Sequence, residues 1–573
     1  MKKIASYLKP YFIPVLLAPL FMLLEVAMDL AQPTLMSQIV DIGLPGGDMT
    51  FILTTGAKML GAAAIGLVGG IGCVYFSAKA SQNFGADLRK ALFNKIQSFS
   101  FAGLDIFGTA SLVTRLTNDV QQIQLAVMMM MRIMVRAPFL MIGGVILAFT
   151  INAKLALILV VSMPLLFVVI SLILRKGLPY FTATQKKLDK VNGVIQENLT
   201  GIRVIKAFVR EEHEKKRFNT ANTDLTDIMI KAGNIMALAM PLMTLFTNLA
   251  IIAAIWFGGS MAAAGEMQVG KIMAFISYVM QILMSLMIVS FMLVFYSRAK
   301  VSADRVAEVL NTPTDIEDGK GILPQPKGEI EFRNVSFKYP GAGGEPLLQD
   351  VSFSIKSGQT IGILGSTGAG KSSLVNLIPR FYDVDGGAVL LDGVDVRDYK
   401  LDELRGRIGM VLQDNILFSG TIRDNLKWGN DNASDDELIA ATKDAQAYSF
   451  ISTQREGLDT VLGQRGVNIS GGQKQRLAIA RALVKKPAVL ILDDSTSAVD
   501  LGTEAEIQNA LESMHDDRTV IVIAQRISSV MKADRILVIE DGSIVADGRH
   551  EELIKSSAIY RDIYSSQMGK EAV

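Results

Sequence analysis

The sequence predicts an all-α, six-helix membrane domain with long intracellular helix extensions, fused to a soluble α/β domain built around a phosphate-binding loop. Three observations carry this. Six apolar runs, each close to the roughly 20 residues a spanning helix needs, crowd into the first 300 residues. A short strand, Gln359 to Leu364, runs into Gly365-Ser366-Thr367-Gly368-Ala369-Gly370-Lys371-Ser372 and then into a helix. The composition is 50% hydrophobic and 20% charged, where a typical soluble protein is about 25% charged.

The same composition excludes other classes. A chain of 573 residues is too long and too apolar for a small soluble domain, a disordered chain or a coiled coil. Lys plus Arg number 57 and Asp plus Glu 56, a formal net charge of +1, so no basic excess points to nucleic acid. The single cysteine, Cys73, closes no internal disulfide and builds no thiolate metal cluster. His213, His515 and His550 lie far apart in sequence, which disfavours a histidine-rich metal site.

The predicted spans run from about Tyr11 to Met36, Thr54 to Ser77, Val127 to Ile151, Ala153 to Leu174, Asn234 to Phe257 and Ile272 to Phe295. The first run is too long for a signal-peptide core and ends in no small-residue cleavage site, so it reads as the first span. Lys and Arg cluster at the N-terminus and in the connections between spans two and three and between spans four and five. The other connections, Asp41 to Met49, Asn152 to Lys154 and Gly258 to Gly270, are short and nearly free of basic residues. This bias predicts a cytoplasmic N-terminus and a cytoplasmic soluble domain.

The two basic connections are roughly 50 to 60 residues each and keep helical spacing. The spanning helices are therefore expected to continue past the bilayer and to reverse in short turns near Ser111 to Asp119 and near Ala207 to Lys215. Ser297 to Asn311 extends span six as a charged helix. Thr312 to Lys327, rich in Pro, Gly and Asp, reads as a linker. The expected organisation is 1–311 membrane domain, 312–327 linker and 328–573 nucleotide-binding α/β domain.

The glycine-rich loop has a physical reading. Its glycines let backbone N–H groups turn inward around phosphate oxygens, and the following helix start adds its dipole. Lys371 would reach the β- and γ-phosphates of ATP, the Ser372 hydroxyl would bind Mg²⁺, and Ser373 follows in the first helical turn. About 120 residues later the buried strand Ala488 to Leu492 ends in Asp493-Asp494, which places Asp493 to hold the Mg²⁺. Between these lies Ser470-Gly471-Gly472-Gln473 at the start of an Ala-rich helix, a second anion cradle. One nucleotide needs one cradle, so the second makes sense if it closes over a nucleotide held by another chain.

The Ile469 to Gln473 stretch (ISGGQ), taken with the loop and the Asp493 strand, resembles the ATP-binding cassette (ABC) family. Six spans followed by one cassette look like an exporter-type half-transporter, and the resemblance covers nearly the whole chain. It implies that Tyr339 stacks on adenine, that Gln413 contacts Mg²⁺ and the attacking water, and that Asp500 communicates across a cassette dimer. It implies that Thr460 to Gly466 is the exporter-specific segment, with Gln464 where the family usually has Glu. It also makes the two intracellular turns coupling helices.

Two departures bear on mechanism. The family's catalytic carboxylate, usually Glu, is here Asp494. Its carboxylate sits roughly 1–1.5 Å back, and a misplacement of that size costs on the order of 100-fold in rate. The family's switch histidine is here Gln525, which donates a hydrogen bond but carries no charge. The resemblance therefore implies a degenerate site in a heterodimer whose partner, a second half-transporter, carries the consensus Glu and His. This chain's intact Ser470 to Gln473 would complete the partner's site.

Within the membrane, Glu25 and Asp29 lie one turn apart in span one, and Arg132 and Arg136 one turn apart near span three. Such residues face a cavity or each other. A polar transport cavity, an interhelical ion pair and snorkelling arginines all fit. Asp41, at the outer end of span one, fits an outer gate or a solvated loop. The function this points to is ATP-driven export of an amphipathic drug or lipid across a bacterial-type cytoplasmic membrane, with lipid and an amphipathic small molecule as partners. A non-hydrolytic regulatory subunit and an ATP-gated channel are the competing readings.

Overall fold

The computed structural model describes residues 2–321, 324–495, 501–513 and 518–568. It divides into two compact units, Met1–Gln97 with Ala110–Thr312, and Ser98–Thr109 with Pro313–Val573.

The first unit is helical. Among the described residues six helices are long and apolar enough to cross a membrane: Lys9–Gly46, Met49–Gln97, Thr109–Ile151, Ala153–Thr200, Glu211–Ala263 and Val269–Val289. The last belongs to a continuous helix, Val269–Asn311. Spans two to five run well beyond their apolar stretches, as the periodicity of the basic connections predicts. Spans one and two meet backbone to backbone because span two is small-residue-rich. A Cβ on Gly69 would lie 2.9 Å from both the Phe21 carbonyl oxygen and the Glu25 nitrogen. Spans one and six are joined by the buried Tyr278, whose hydroxyl donates to the Leu30 carbonyl at 2.6 Å.

Below the apolar region the helices are held by polar pairs. Lys187 bonds Asp224 at 2.6 Å between the extensions of spans four and five, beside the buried Val191, Val194, Ala221 and Leu225. The segment expected as the first intracellular turn, Ser111 to Asp119, is instead helical and belongs to the third span's helix, with a π turn at Arg115–Asp119. The reason is pairing. Arg115 and Asp119 are buried, Arg115 against Glu308 at 2.8 Å and Asp119 against Ser302 at 2.8 Å. The reversal comes about ten residues earlier, where Ser100 caps a short helix, Phe101–Phe107, and Gly108 takes φ 70° to end it. The second reversal is confined to Phe208–Arg210, between helices Ile202–Ala207 and Glu211–Ala237.

Among its described residues the second unit holds two large sheets and a two-stranded ribbon, Gly420–Thr421 with Val461–Leu462. A four-stranded antiparallel sheet runs in the order Leu348–Ile355, Ile330–Phe337, Gly386–Leu391 and Val394–Asp395. The six-stranded sheet runs Ser543–Gly548, Arg535–Glu540, Thr360–Gly365, Thr519–Ile523, Val489–Asp493, Ile408–Val411. Its pairs are parallel except for the first. The central strands are apolar runs buried on both faces, as a covered parallel sheet requires. Within the expected linker, residues 316–319 are pinned to this unit. Ile316 is buried, Gly319 N–H bonds the Tyr399 carbonyl at 2.9 Å, and Asp318 accepts from Leu401 N–H at 2.9 Å.

The Phe101–Phe107 helix packs within this second unit although its flanks belong to spans two and three. The Phe101 ring lies 4.5 Å from that of Phe381, and the Tyr382 hydroxyl donates to Asp105 at 2.9 Å. Burial and the Asp105 hydrogen bond hold the Tyr382 phenol above the ordinary tyrosine range.

Candidate nucleotide site

Four neighbouring parallel strands end on one edge of the six-stranded sheet, and the sequence-predicted residues follow those ends. Gly365 closes Thr360–Gly365, Gln525 follows Thr519–Ile523, Asp493 and Asp494 close Val489–Asp493, and Gln413 follows Ile408–Val411. The carboxyl ends of parallel strands in open α/β sheets are where ligands bind.

The glycine loop needs its glycines. Gly365, Gly368 and Gly370 take φ of 156°, 88° and 97°, and a Cβ on Gly365 would stand 2.2 Å from the Ile539 carbonyl oxygen. Ser366, Thr367, Gly368 and Ala369 form the turn between strand and helix. Lys371 folds back over it, its Nζ donating to the carbonyls of Gly365 at 2.9 Å and Ser366 at 2.8 Å. Burial lowers the Lys371 pKa, against the pull of the Asp494 and Asp493 charges. Ser372 Oγ donates to Asp493 Oδ1 at 3.0 Å. A hydroxyl and a carboxylate side by side are the hard-oxygen donors that Mg²⁺ takes, so these residues fit the ion. Ser373 is buried, and its hydroxyl is 2.8 Å from that of Tyr339. Tyr339 also meets Phe337 and Tyr382 edge-on, at 5.0 and 5.2 Å.

Asp494 is 9% exposed and sits in the left-handed region at φ 48°, a conformation non-glycine residues adopt rarely. Its N–H bonds the Ile523 carbonyl at 3.0 Å, and its Oδ2 accepts from Gln525 Nε2 at 2.9 Å. The two departures from the family pattern thus meet in one hydrogen bond. Burial raises the pKa of both Asp493 and Asp494. At Asp493 the Ser372 hydrogen bond opposes the shift, and at Asp494 the Lys371 charge opposes it most.

Ser470, Gly471, Gly472 and Gln473 open the 14-residue helix Gly471–Val484. Ser470 Oγ accepts from Gln473 N–H, and Gln473 Oε1 accepts from Ser470 N–H at 2.9 Å, a reciprocal capping box. The turn is solvent-facing, with Ser470 and Gly471 exposed. Gln413 is exposed too. Gln464 starts a 3₁₀ turn in which Arg465 takes φ 55°. Asp500 lies outside the described residues.

In the membrane unit Arg136 bridges both acids of span one, pairing with Glu25 and with Asp29 at 2.8 Å. Arg132 makes no ion pair or hydrogen bond among the described residues. Glu25, Asp29 and Gln32 line a cleft of about 690 Å³ between spans one and two. Asp41 Oδ1 accepts from Gly270 N–H at 2.5 Å and so caps the start of span six, rather than standing solvated in a loop.

Sequence reading missed the residues that brace the switch segment. Glu504 pairs with Arg526 at 3.7 Å and bonds Ser529, Gln508 donates to the Ser529 carbonyl, and Gln567 bonds the backbone at Gln525 and Ile527. No spacing rule joins residues 40 positions apart, so the sequence carried no signal for Gln567.

Comparison with known proteins agrees with this geometry. Residues 15–286 match the ABC transporter transmembrane region and residues 348–497 match the ABC transporter family. The chain is 44% identical over 571 residues to the uncharacterized ABC transporter ATP-binding protein YfiB of Bacillus subtilis, covering 100% of this chain and 99% of that one. It is 36% identical over 508 residues to the ATP-dependent lipid A-core flippase of Syntrophus aciditrophicus, covering 88% and 84%. A bacterial Atm1-family ABC exporter solved with ATP bound superposes with a TM-score of 0.81 at 25% identity, over 97% of this chain and 98% of that one. With a six-helix membrane region and an ATP-binding α/β domain fused in one polypeptide, the chain belongs to the ABC transporter family and has the exporter fold.

Proposed function

We propose that this chain is the degenerate-site subunit of a heterodimeric ATP-driven exporter. It moves amphipathic drugs or lipids from the cytoplasm or inner leaflet across a bacterial cytoplasmic membrane. The basic connections support a cytoplasmic N-terminus and cassette. The likeness to a lipid flippase supports a lipid-like cargo.

In this reading the loop Gly365 to Ser373 wraps the phosphates of ATP, Lys371 leaves its carbonyl partners for the β- and γ-phosphates, and Tyr339 meets the adenine. Ser372, Asp493 and Gln413 hold Mg²⁺, which neutralises phosphate charge when bound. Asp494 and Gln525 stand at the attacking water and the γ-phosphate. Ser470 to Gln473 close over the partner's nucleotide.

One observation carries the reading: Gln525 Nε2 donates to Asp494 Oδ2 at 2.9 Å. A carboxylate acts as base only within hydrogen-bond reach of the proton it takes. Asp494, one methylene shorter than the family's Glu, shares this bond with a neutral amide that offers no positive charge to the transferring phosphoryl group.

The test is Mg-ATP hydrolysis by the full chain purified alone, with its oligomeric state read by native mass spectrometry. Turnover is expected to be slow, and Asp494→Glu combined with Gln525→His should raise it by on the order of 100-fold. A vigorous wild-type homodimer would overturn the degenerate-site reading.

A further inference from the structure

The C-terminal helix, Ala558–Met568, lies against the segment that follows the Thr519–Ile523 strand. Its Tyr560 is fully buried in a cluster with Ala524, Ile527 and Val530. From the last turn of this helix Gln567 reaches the backbone on both sides of Arg526. Its Oε1 accepts from Ile527 N–H at 2.7 Å, and its Nε2 donates to the Gln525 carbonyl at 2.8 Å. Arg526, between them, is extended at φ −95° and ψ 129°.

This geometry is specific. In an extended segment the C=O of one residue and the N–H two residues on face the same side, as they do toward a neighbouring strand. A primary amide supplies one donor and one acceptor to match. Gln567 therefore takes the place of a missing strand for a single pair of backbone groups. The residue it grips at one end is Gln525, whose own side chain donates to Asp494. The opposite flank is braced by the Arg526–Glu504 pair at 3.7 Å and by Gln508 on the Ser529 carbonyl at 2.9 Å. With the backbone at 525 and 527 held by Gln567, and the Arg526 side chain and Ser529 carbonyl held by Glu504 and Gln508, the backbone that carries the Gln525 side chain is fixed by its neighbours.

We propose that Gln567 is a positioning residue for the nucleotide site. It clamps the switch segment so that the Gln525 amide faces Asp494 and the terminal phosphate, and it links the C-terminal helix to that phosphate. This rests on the reading of Gln525 as the γ-phosphate contact. Because the clamp acts through the backbone, it works for whichever side chain occupies position 525.

The experiment is the Mg-ATP dissociation constant of the full chain in lipid nanodiscs, measured for Gln525→Ala, Gln567→Ala, the double variant and Gln567→Glu. Each single alanine variant is expected to weaken binding by about fivefold, the size of one ordinary hydrogen bond. The double variant should be no weaker than Gln525→Ala, since residues acting through one contact are not additive. Gln567→Glu keeps the bond to Ile527 N–H and sets a carboxylate against the Gln525 carbonyl, so it should match Gln567→Ala. A role confined to anchoring the helix predicts near-normal binding for Gln567→Glu, and that result overturns the clamp even if Gln567→Ala does not fold. Additive losses in the double variant overturn it as well. If Gln525→Ala binds Mg-ATP normally, the γ-phosphate reading of Gln525 fails, and the clamp with it.

Discussion

Arg136 and Arg132 sit one helical turn apart on the same span and do different things. Arg136 is shared by Glu25 and Asp29, so three charges at membrane depth satisfy one another. Removing one member of such a set leaves the others uncompensated in a low-dielectric setting. Arg136→Ala is expected to cost about 1–2 kcal/mol, less than a fully buried pair because Arg136 and Asp29 keep about 40% of their side chains exposed. It should lower the melting temperature of the detergent-solubilised chain. Arg132 has no such partners among the described residues, so Arg132→Ala should leave that melting temperature unchanged. A destabilised Arg132→Ala with a stable Arg136→Ala would refute this division. The sequence spacing leaves cavity lining, interhelical pairing and snorkelling all open for both arginines. It could not divide them, because a one-turn repeat puts both on one face and the difference lies in which of them reaches span one.

Whole elements were more legible than their ends. The apolar runs and the strand–loop–helix stand in the structure where periodicity puts them, because burial of a continuous apolar stripe is a property of many residues together. The first reversal between long helices lies about ten residues before the position that the spacing predicts. Ser111 to Asp119 carries the polar, turn-like composition, but its charges are consumed by pairing with the extension of span six. The true reversal, with Ser100 and Gly108 at its ends, hides in an apolar stretch, because the Phe101–Phe107 helix buries its face against the soluble unit. This assigns a testable role to the element. Phe101→Ala removes the ring contact to Phe381, and Asp105→Ala removes the acceptor for Tyr382. Neither touches the glycine loop. The pair of substitutions is expected to change Mg-ATP affinity no more than severalfold, since Tyr382 also packs on Tyr339, and to abolish stimulation of hydrolysis by the amphiphiles proposed as cargo. Basal and stimulated ATPase of the full exporter in nanodiscs separate the two. Stimulation that survives both substitutions would remove the helix from the coupling path.

At the scale of the whole molecule, the proposed reading gives the chain two anion cradles of unequal quality. The Ser470 to Gln473 turn keeps the family sequence and an intact capping box on an exposed helix start. The site around Asp494 carries both departures, joined by one hydrogen bond. If each nucleotide is held between one chain's glycine loop and the other chain's signature turn, the two ends of this chain serve different nucleotides. Damage to them should then be unequal, and in the direction opposite to that of a lone enzyme. Ser470→Arg, which puts a bulky cation at the turn that faces the partner's γ-phosphate, is expected to lower ATP turnover of the pair by on the order of 100-fold, as loss of a transition-state donor does. Lys371→Ala, which cripples this chain's own loop, should lower it only severalfold, about the effect of weakening one supporting contact. Both are read on the exporter purified with whatever chain it pairs with in its native membrane. The reverse asymmetry, with Lys371→Ala the more damaging, would mean that the Asp494 site performs the hydrolysis, and equal losses would mean two equivalent sites. Either result would return Asp494 and Gln525 to the status of ordinary catalytic residues, since a site that is slow by construction cannot limit the pair more than the site it completes.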